Sequence, residues 1–175
     1  MVLIKNIKIK DKDSISQVVN HLSFKKHALV DKGFSTYNVP HLEQTKVFQP
    51  IIDTFLKLAG SDYKLLDIWC NVYKKGGYVK LHQHHDPVGP LKDIPQKSGV
   101  YYFKKPEDSG NLLLEGFSLQ TKEDDFVIFN SKTMHGSEKN ISNADRIIFS
   151  INLGYKVGKE WSNNLNKYKL VYTLF

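Results

Sequence analysis

Three of the chain's seven histidines and one carboxylate stand within five consecutive positions, His82-Gln83-His84-His85-Asp86. On an extended segment, side chains two residues apart point the same way, so His82, His84 and Asp86 face one side and His85 the other. An imidazole and a second imidazole or carboxylate at this spacing can bind two neighbouring positions of one metal ion. The pattern predicts a metal site for which this pentapeptide supplies two ligands, with a third from a distant strand.

The third ligand and an anion-binding group are predicted downstream. His135 follows the apolar run 126–130, which is typical of a strand, and Arg146 opens a second apolar run eleven residues later. A guanidinium at the start of a buried strand needs an anionic partner, because burying an unpaired charge is costly. A dicarboxylate could accept a bidentate arginine fork at one end and chelate the metal through a 2-oxo acid at the other. Asp145 and Glu138 are the alternative partners for Arg146.

The elements that must position these residues divide the chain in two. A helix is predicted from Asp13 and Ser14, which can cap it, to about residue 22. The stretch 32–40 is predicted to be a loop, and a second helix runs from Phe48 to a C-terminal cap at Gly60. Beyond Gly60, short β-branched and aromatic segments alternate with turn residues, which is typical of an antiparallel sandwich or barrel. Strands are predicted near 64–73, 78–84, 98–104, 111–115, 125–130, 145–153 and 167–174.

The fold class predicted from this order is mainly β with N-terminal helices, a jelly roll or double-stranded β-helix. We expect one domain, 1–175, with a helical part, 1–60, packed on a barrel core, 61–175. Tyr101 and Tyr102 point to opposite faces of one predicted strand, so one of the two hydroxyls can join Arg146 at a bound carboxylate. The run 168–174 is predicted to form an edge strand or a homodimer contact.

Composition limits the functional classes. The 175 residues are enough for one domain with a substantial core. No run approaches the roughly 20 apolar residues of a membrane span. The single cysteine, Cys70, excludes an internal disulfide and fits a reducing cytosol, so we expect a cytoplasmic protein. The net charge of +7 comes from scattered lysines, which favours a solvated surface over a nucleic-acid interface.

The ordered motifs resemble those of the 2-oxoglutarate/Fe(II)-dependent oxygenases, in particular small bacterial and phage members related to prolyl 4-hydroxylases. The resemblance covers residues 65 to 155 or so. It rests on IWCNVY at 68–73, GGY at 76–78, HQHHDP at 82–87, SGVYY at 98–102, FNSKTMH at 129–135 and RIIFSIN at 146–152.

The resemblance implies a double-stranded β-helix that holds Fe(II) at one mouth and uses 2-oxoglutarate and O2 to hydroxylate a small-molecule or peptidyl substrate, with release of succinate. It implies these roles: His84 and Asp86 as the proximal ligand pair, His135 as the distal ligand, Arg146 and Tyr102 at the 2-oxoglutarate carboxylate, and Asn71 and Tyr73 as polar residues of the pocket.

One departure from the family pattern leaves two ligand sets open. Counting forward from Trp69 and Gly76 places the family's first histidine at His82, so that the pair is His82 and His84, with no carboxylate. Counting back from Pro87 gives His84 and Asp86. We favour Asp86, because it completes the two-histidine, one-carboxylate shell that is usual for Fe(II).

Other interpretations compete with the oxygenase hypothesis. The histidines could belong to an exposed loop or to a closed structural zinc site. A cupin-type metal enzyme that does not use 2-oxoglutarate is loosely suggested by Gly76, His82, His84, His135 and Asn140, although it leaves Arg146 unexplained. A non-enzymatic jelly roll could instead bind acidic ligands or nucleic acid through the positive charge.

Overall fold

A computed structural model describes residues 2–37, 42–84 and 95–155. In these segments the strands are β1 (Leu3–Asn6), β2 (Val30–Ser35), β3 (Tyr63–Val79), β4 (Lys97–Lys104), β5 (Leu112–Leu114), β6 (Phe117–Leu119), β7 (Asp125–Asn130), β8 (His135–Ser137) and β9 (Arg146–Tyr155). The α-helices are α1 (Lys12–His21) and α2 (Gln49–Ala59), and short 3-10 turns at Leu42–Gln44 and Lys46–Phe48 lead into α2.

The described strands form two antiparallel sheets. The major sheet has the order β1-β7-β4-β9-β3-β2 and the minor sheet the order β6-β5-β8. After β3 ends at Val79, the chain passes to the minor sheet, where His82 makes an isolated antiparallel bridge with His135. Side chains from both sheets, among them Leu112, Val127 and Ile148, pack in one buried cluster between them. The predicted fold class, a mainly β jelly roll with N-terminal helices, is confirmed.

Strand alternation separates two cores on opposite faces of the major sheet. Tyr101 packs with the helices on the outer face, where its ring stacks on Phe126 at 4.2 Å between centroids. Tyr102, the next residue, points into the space between the sheets. The prediction that these two tyrosines face opposite ways is therefore confirmed.

The helices agree with the prediction in extent, but not in how the first one begins. Helix α2 ends at Gly60, whose φ of 106° suits glycine, as predicted. Helix α1 begins at Lys12 after Asp11, which adopts a left-handed φ of 59°. Asp13 and Ser14 thus lie in the first turn and are not the cap; the Ser14 hydroxyl instead donates to the Asp11 carboxylate at 2.8 Å.

The N-terminal part also contributes strands that were not predicted. β1 pairs with β7, and β2 pairs with β3 in part of the stretch expected to be a loop. The register of β2 shifts between Asp31 and Gly33, around Lys32, which has a φ of 43°. This irregularity interrupts the two-residue alternation by which a strand is predicted from sequence. A Cβ on Gly33 would lie 2.6 Å from the Val72 carbonyl oxygen, so the close pairing requires glycine.

Two predicted strands have different outcomes. The one predicted at 78–84 is wrong in extent: only its first two residues, Tyr78 and Val79, belong to a strand, because the chain then leaves the major sheet. The one predicted at 167–174 lies outside the described residues. Neither α1 nor α2, at 10 and 11 residues, has the length that crossing a membrane requires.

Candidate metal centre and anion pocket

Three histidines from two distant segments converge at one end of the space between the sheets. His82 and His135 exchange two backbone hydrogen bonds of 2.8 Å, which fixes the two residues side by side. The His84 amide donates to the Ser131 carbonyl at 3.1 Å, and this hydrogen bond places the His84 ring beside the rings of His82 and His135. One nitrogen from each ring lies within 4.8 Å of the others, and the Nε2 atoms of His82 and His84 are 3.0 Å apart.

Each of the three imidazoles is oriented by a hydrogen bond at Nδ1. The acceptors are the Lys80 carbonyl for His82 at 2.7 Å, the Asn152 side-chain carbonyl for His84 at 2.7 Å and the Thr133 carbonyl for His135 at 2.9 Å. Since a carbonyl oxygen can only accept, each Nδ1 carries the proton and each Nε2 keeps its lone pair.

The spacing of the Nε2 atoms matches a shared cation. Two lone pairs that face one another across 3.0 Å repel unless a positive charge lies between them. Nitrogen ligands at about 2.1 Å from one ion and at right angles would be about 3.0 Å apart. The residues present therefore fit a bound metal ion.

Desolvation keeps these rings neutral. Burial lowers the pKa of His84 to about 3, and the neighbouring His82 lowers it further, against a hydrogen bond to Asn152 that raises it. The residue His84 as a whole is partly exposed to solvent, but its imidazole ring is enclosed by protein. Burial, followed by the proximity of His84 and His82, lowers the pKa of His135 to about 2. The neutral imidazole is the form that binds metal ions.

The carboxylate ligand preferred from the sequence is Asp86. Asp86, like His85, lies outside the described residues, so the choice between Asp86 and His82 stays a prediction. Among the residues that the structure describes, the group that could hold a metal comprises His82, His84 and His135 and contains no carboxylate.

Arg146 is almost fully buried, with 1% of its surface exposed. Its guanidinium donates to the Ser109 carbonyl and, at 2.8 Å, to the Ser137 hydroxyl, and it lies over the Tyr73 ring at 4.5 Å from the centroid. Its Nε has no hydrogen-bond partner among the described residues. A buried guanidinium with an unused donor is a site for an anion.

Neither carboxylate considered as a structural partner forms an ion pair with Arg146, although the charge of Glu138 acts on it from farther away. Asp145 pairs with Lys74 at 2.5 Å. The Glu138 carboxylate accepts the Asn111 amide at 2.9 Å, and only the Glu138 backbone carbonyl contacts the guanidinium, at 3.3 Å. No ion pair to Arg146 forms within 2–37, 42–84 and 95–155.

The other predicted pocket residues lie on the same inner face. Tyr73 stands opposite Arg146 in the pairing of β3 with β9, and burial raises the pKa of both Tyr73 and Tyr102, so both hydroxyls are protonated donors at neutral pH. Asn71 donates weakly to the Ser150 hydroxyl at 3.4 Å, while its buried Oδ1 has no partner in the described chain.

One cavity of about 260 Å³ joins the three histidines to Arg146. Its floor is the inner face of β9, where Arg146, Ile148, Ser150 and Asn152 alternate with residues that face the helices. The cavity thus offers neutral nitrogen ligands at one end of β9 and, at the other, a cation with no ion pair among the described residues, an arrangement that suits a metal chelated by a carboxylate compound.

Sequence reasoning assigned no role to the two residues that hold His84. Asn152 accepts the His84 Nδ1–H at 2.7 Å, and the Ser98 hydroxyl donates to the same Asn152 oxygen at 2.9 Å. Counting inward-facing positions from Arg146 would have placed Asn152 on the cavity face, but not against His84.

Three further cavity residues, His27, Tyr37 and Trp69, were also missed as site residues. The first two come from the segment before β2 and from just after it. No motif in that segment marks either residue.

Comparison with known proteins supports the fold. No protein-family model and no curated protein matches the sequence. Among solved structures, HygX from Streptomyces hygroscopicus with nickel and 2-oxoglutarate bound is similar at a TM-score of 0.69 and 14% identity, over 91% of this chain and 85% of that one. The collagen prolyl hydroxylase of Paramecium bursaria Chlorella virus-1, as a 2-oxoglutarate complex, has a TM-score of 0.65 and 15% identity, over 87% and 94% of the two chains.

A 2OG-Fe(II) oxygenase family protein from Burkholderia pseudomallei is similar at a TM-score of 0.61 and 12% identity, over 87% of this chain and 84% of that one. These likenesses extend beyond the motif region, since each covers most of the chain. The chain therefore has the double-stranded β-helix fold of the 2-oxoglutarate/Fe(II)-dependent oxygenases, as the resemblance in its sequence predicted.

Proposed function

We propose that this protein is an Fe(II)- and 2-oxoglutarate-dependent dioxygenase that hydroxylates a substrate and converts 2-oxoglutarate to succinate. The observation that carries the proposal is the single cavity that joins three neutral histidines to a buried arginine that has no carboxylate partner among the described residues. The similar structures of HygX and the viral hydroxylase, both with 2-oxoglutarate bound, support it.

His82, His84 and His135 would hold the metal through Nε2. When bound, Fe(II) supplies the activation of O2 that is coupled to decarboxylation of the 2-oxo acid. The chain's own contribution is geometric: carbonyl and amide acceptors at Nδ1 hold three rings in the binding orientation before the ion arrives.

Arg146 would receive the distal carboxylate of 2-oxoglutarate. No described residue forms an ion pair with it, and its Nε has no described partner, so a carboxylate gains a charge-assisted hydrogen bond there without displacing an ion pair among these residues. Tyr73 fixes the plane of the guanidinium from one side. Tyr102 and Asn71 line the same cavity, with a hydroxyl and an amide available to the bound co-substrate.

An anaerobic titration tests the proposal. Protein with Fe(II) should develop a weak visible charge-transfer band when 2-oxoglutarate is added, and admission of O2 should yield succinate. Arg146→Ala should weaken 2-oxoglutarate binding at least tenfold, since a charge-assisted hydrogen bond contributes about 1.5–3 kcal/mol. The same variant should leave Fe(II) affinity nearly unchanged.

Lys74→Ala is the matched control, because it removes a positive charge from an exposed ion pair outside the cavity. Absence of the band in the wild-type protein, with iron bound, would contradict the proposal. Equal loss of 2-oxoglutarate affinity in Lys74→Ala and Arg146→Ala would show that only overall charge matters.

A pair of substitutions separates the two ligand sets. If His82 is a ligand, His82→Ala should lower Fe(II) affinity far more than Asp86→Ala, and the reverse order would assign Asp86. His84 is a ligand in both cases, so His84→Ala provides the reference for full loss.

A cupin-type metal enzyme that does not use 2-oxoglutarate is the second candidate. The observation in its favour is the three-histidine group without a carboxylate among the described residues. It predicts tight metal binding that 2-oxoglutarate does not affect, and metal binding that strengthens with 2-oxoglutarate would exclude it.

A further inference from the structure

An aromatic wall lines the cavity on the side of β2 and β3, away from Arg146. The His27 and Tyr37 rings meet edge to face at 5.0 Å between centroids, and the Tyr37 and Trp69 rings do so at 5.1 Å. Trp69 in turn lies 5.6 Å from the His84 ring. A continuous row of ring contacts therefore runs from the partly exposed His27 and Tyr37 to the candidate metal ligand His84. All four of these aromatic residues line the cavity.

His27 presents an unused hydrogen-bond donor on this wall. The Leu29 amide donates to His27 Nδ1 at 3.3 Å, so in the neutral ring the proton is on Nε2. No described residue accepts a hydrogen bond from that N–H. Burial lowers the pKa of His27, which is consistent with a neutral ring. An oxygen atom of a ligand in the cavity is the natural acceptor.

The described residues that line the cavity carry little charge. Among them Arg146 is the one with a permanent charge, and there is no aspartate, glutamate or lysine. Once 2-oxoglutarate occupies Arg146, a charged group on the aromatic wall would find no counter-ion among these residues, and burying an unpaired charge is costly. A cation would also face the charges of the metal and Arg146 in the proposed oxygenase.

The available volume limits the size of the group. The cavity of about 260 Å³ is somewhat smaller than most ligand pockets, which hold roughly 300–1,000 Å³. A metal ion and a five-carbon dicarboxylate would occupy part of this volume, so we expect the wall to take a small group, of about one ring.

Resting on the proposed oxygenase function, we infer that His27, Tyr37 and Trp69 form the substrate subsite. The subsite takes an uncharged, flat group, an aromatic ring with an amide or carbonyl oxygen, and His27 Nε2–H donates to that oxygen. The rings of Tyr37 and Trp69 contact the flat group at its edge and face, the arrangements that aromatic pairs prefer.

Fragment binding to the full chain tests the subsite, with benzamide as the probe. Benzoate and benzylammonium are charged analogues of similar shape, and cyclohexanecarboxamide keeps the amide but lacks the flat ring. Affinities are measured by calorimetry or by ligand-observed NMR, with and without Zn(II) and 2-oxoglutarate. When Zn(II) and 2-oxoglutarate occupy the histidines and Arg146, benzamide should bind at least tenfold more tightly than each of the three analogues, whereas without them benzoate is free to bind at Arg146.

Substitutions then locate the probe. His27→Phe keeps a ring and removes the N–H, and it should weaken benzamide about tenfold. Tyr37→Leu, at a partly exposed position, should weaken it similarly, which keeps the test valid if a Trp69 variant does not fold. His21→Phe, at an exposed position at the end of α1, is the control and should bind benzamide as the wild type does.

Three results would overturn the inference: equal or tighter binding of benzoate or benzylammonium by protein loaded with Zn(II) and 2-oxoglutarate, unchanged benzamide affinity in His27→Phe, or no benzamide binding by protein that binds metal and 2-oxoglutarate. Wall-dependent benzamide binding by protein that shows no charge-transfer band and forms no succinate would instead contradict the proposed function and remove the substrate role of the subsite. The two failures are therefore distinguishable.

Discussion

Strand β9 presents Phe149, Ile151 and Leu153 to the helices, and Arg146, Ser150 and Asn152 to the cavity. On the helix-facing side, the residues are apolar and fill a continuous core with α1 and α2. On the cavity side, buried polar groups retain unused hydrogen-bonding atoms, among them Arg146 Nε and Asn71 Oδ1. One face lowers the free energy of the folded chain, and the other keeps buried donors and acceptors available for a ligand.

This difference implies that substitutions on the two faces have separable consequences. Changes on the helix-facing side should lower the free energy of unfolding and leave metal affinity intact. Changes on the cavity side should lower affinity for the metal or 2-oxoglutarate at little cost in stability. A variant on one face that changed the property assigned to the other face would contradict this separation.

Phe149→Ala should have the largest effect, on the helix-facing side. Phe149 is fully buried and packs against Phe48 and Phe103 with ring centroids 5.1 and 5.7 Å away. Truncating a buried phenylalanine to alanine costs about 3–5 kcal/mol through lost transfer energy and the cavity left behind. Urea denaturation of the metal-free protein measures the loss, and a change below 1 kcal/mol would contradict the assignment of this face as the stabilising core.

His135→Ala should have the next largest effect, on the cavity side. We expect Fe(II) or Ni(II) affinity to fall at least 100-fold, or about 2.7 kcal/mol, because one of three proposed ligands is lost. The metal-free protein should unfold at nearly the wild-type urea concentration. Metal titration gives the affinity, and Thr133→Ala, which keeps the backbone carbonyl that accepts the His135 Nδ1–H, is the matched control. Wild-type metal affinity in His135→Ala would remove this residue from the site.

Gly99→Ala returns to the helix-facing side with a smaller expected effect. A Cβ on Gly99 would lie 2.6 Å from a ring carbon of Phe55 and 3.0 Å from Ile151. Overpacking a dense core costs about 1–3 kcal/mol, so the urea midpoint should fall while metal affinity stays at the wild-type value. Lower metal affinity in Gly99→Ala would indicate that the two faces of the sheet are mechanically coupled.

Features that depend on the local pattern of the sequence could be predicted. Alternation along β9 and β4 correctly separated Tyr101 from Tyr102, and the burial of Arg146 followed from the apolar run that it opens. These inferences need only the two-residue period of a strand. Helix α2 was similarly predictable, because apolar periodicity and the glycine at its end are local signals.

Features that depend on pairing between distant segments were not predicted. Strand β2 is interrupted by the irregularity at Lys32, and its pairing with β3 forms across about 40 residues of chain. Strand β8 is three residues long, too short to show a period. His27 and Tyr37 reach the cavity because the segment around β2 is docked there, and no spacing within it indicates the metal site more than 40 residues away.

Asn152→Ala should have the smallest of these effects, and it tests whether the cavity face prepares the ligands as well as supplying them. Asn152 is 2% exposed and accepts the His84 Nδ1–H at 2.7 Å, so its loss leaves the ring with the longer contact to the Ser98 hydroxyl, at 3.0 Å, and holds its orientation and tautomer less firmly. Metal affinity should fall about tenfold, the lower end of what losing such a supporting hydrogen bond costs. Ser150→Ala, one inward-facing position away on β9 and without contact to His84, should keep wild-type affinity. A tenfold loss in both variants would mean that the polar face acts as a whole. A loss confined to Asn152→Ala, with an unchanged urea midpoint, would mean that this buried amide contributes to metal binding through one imidazole.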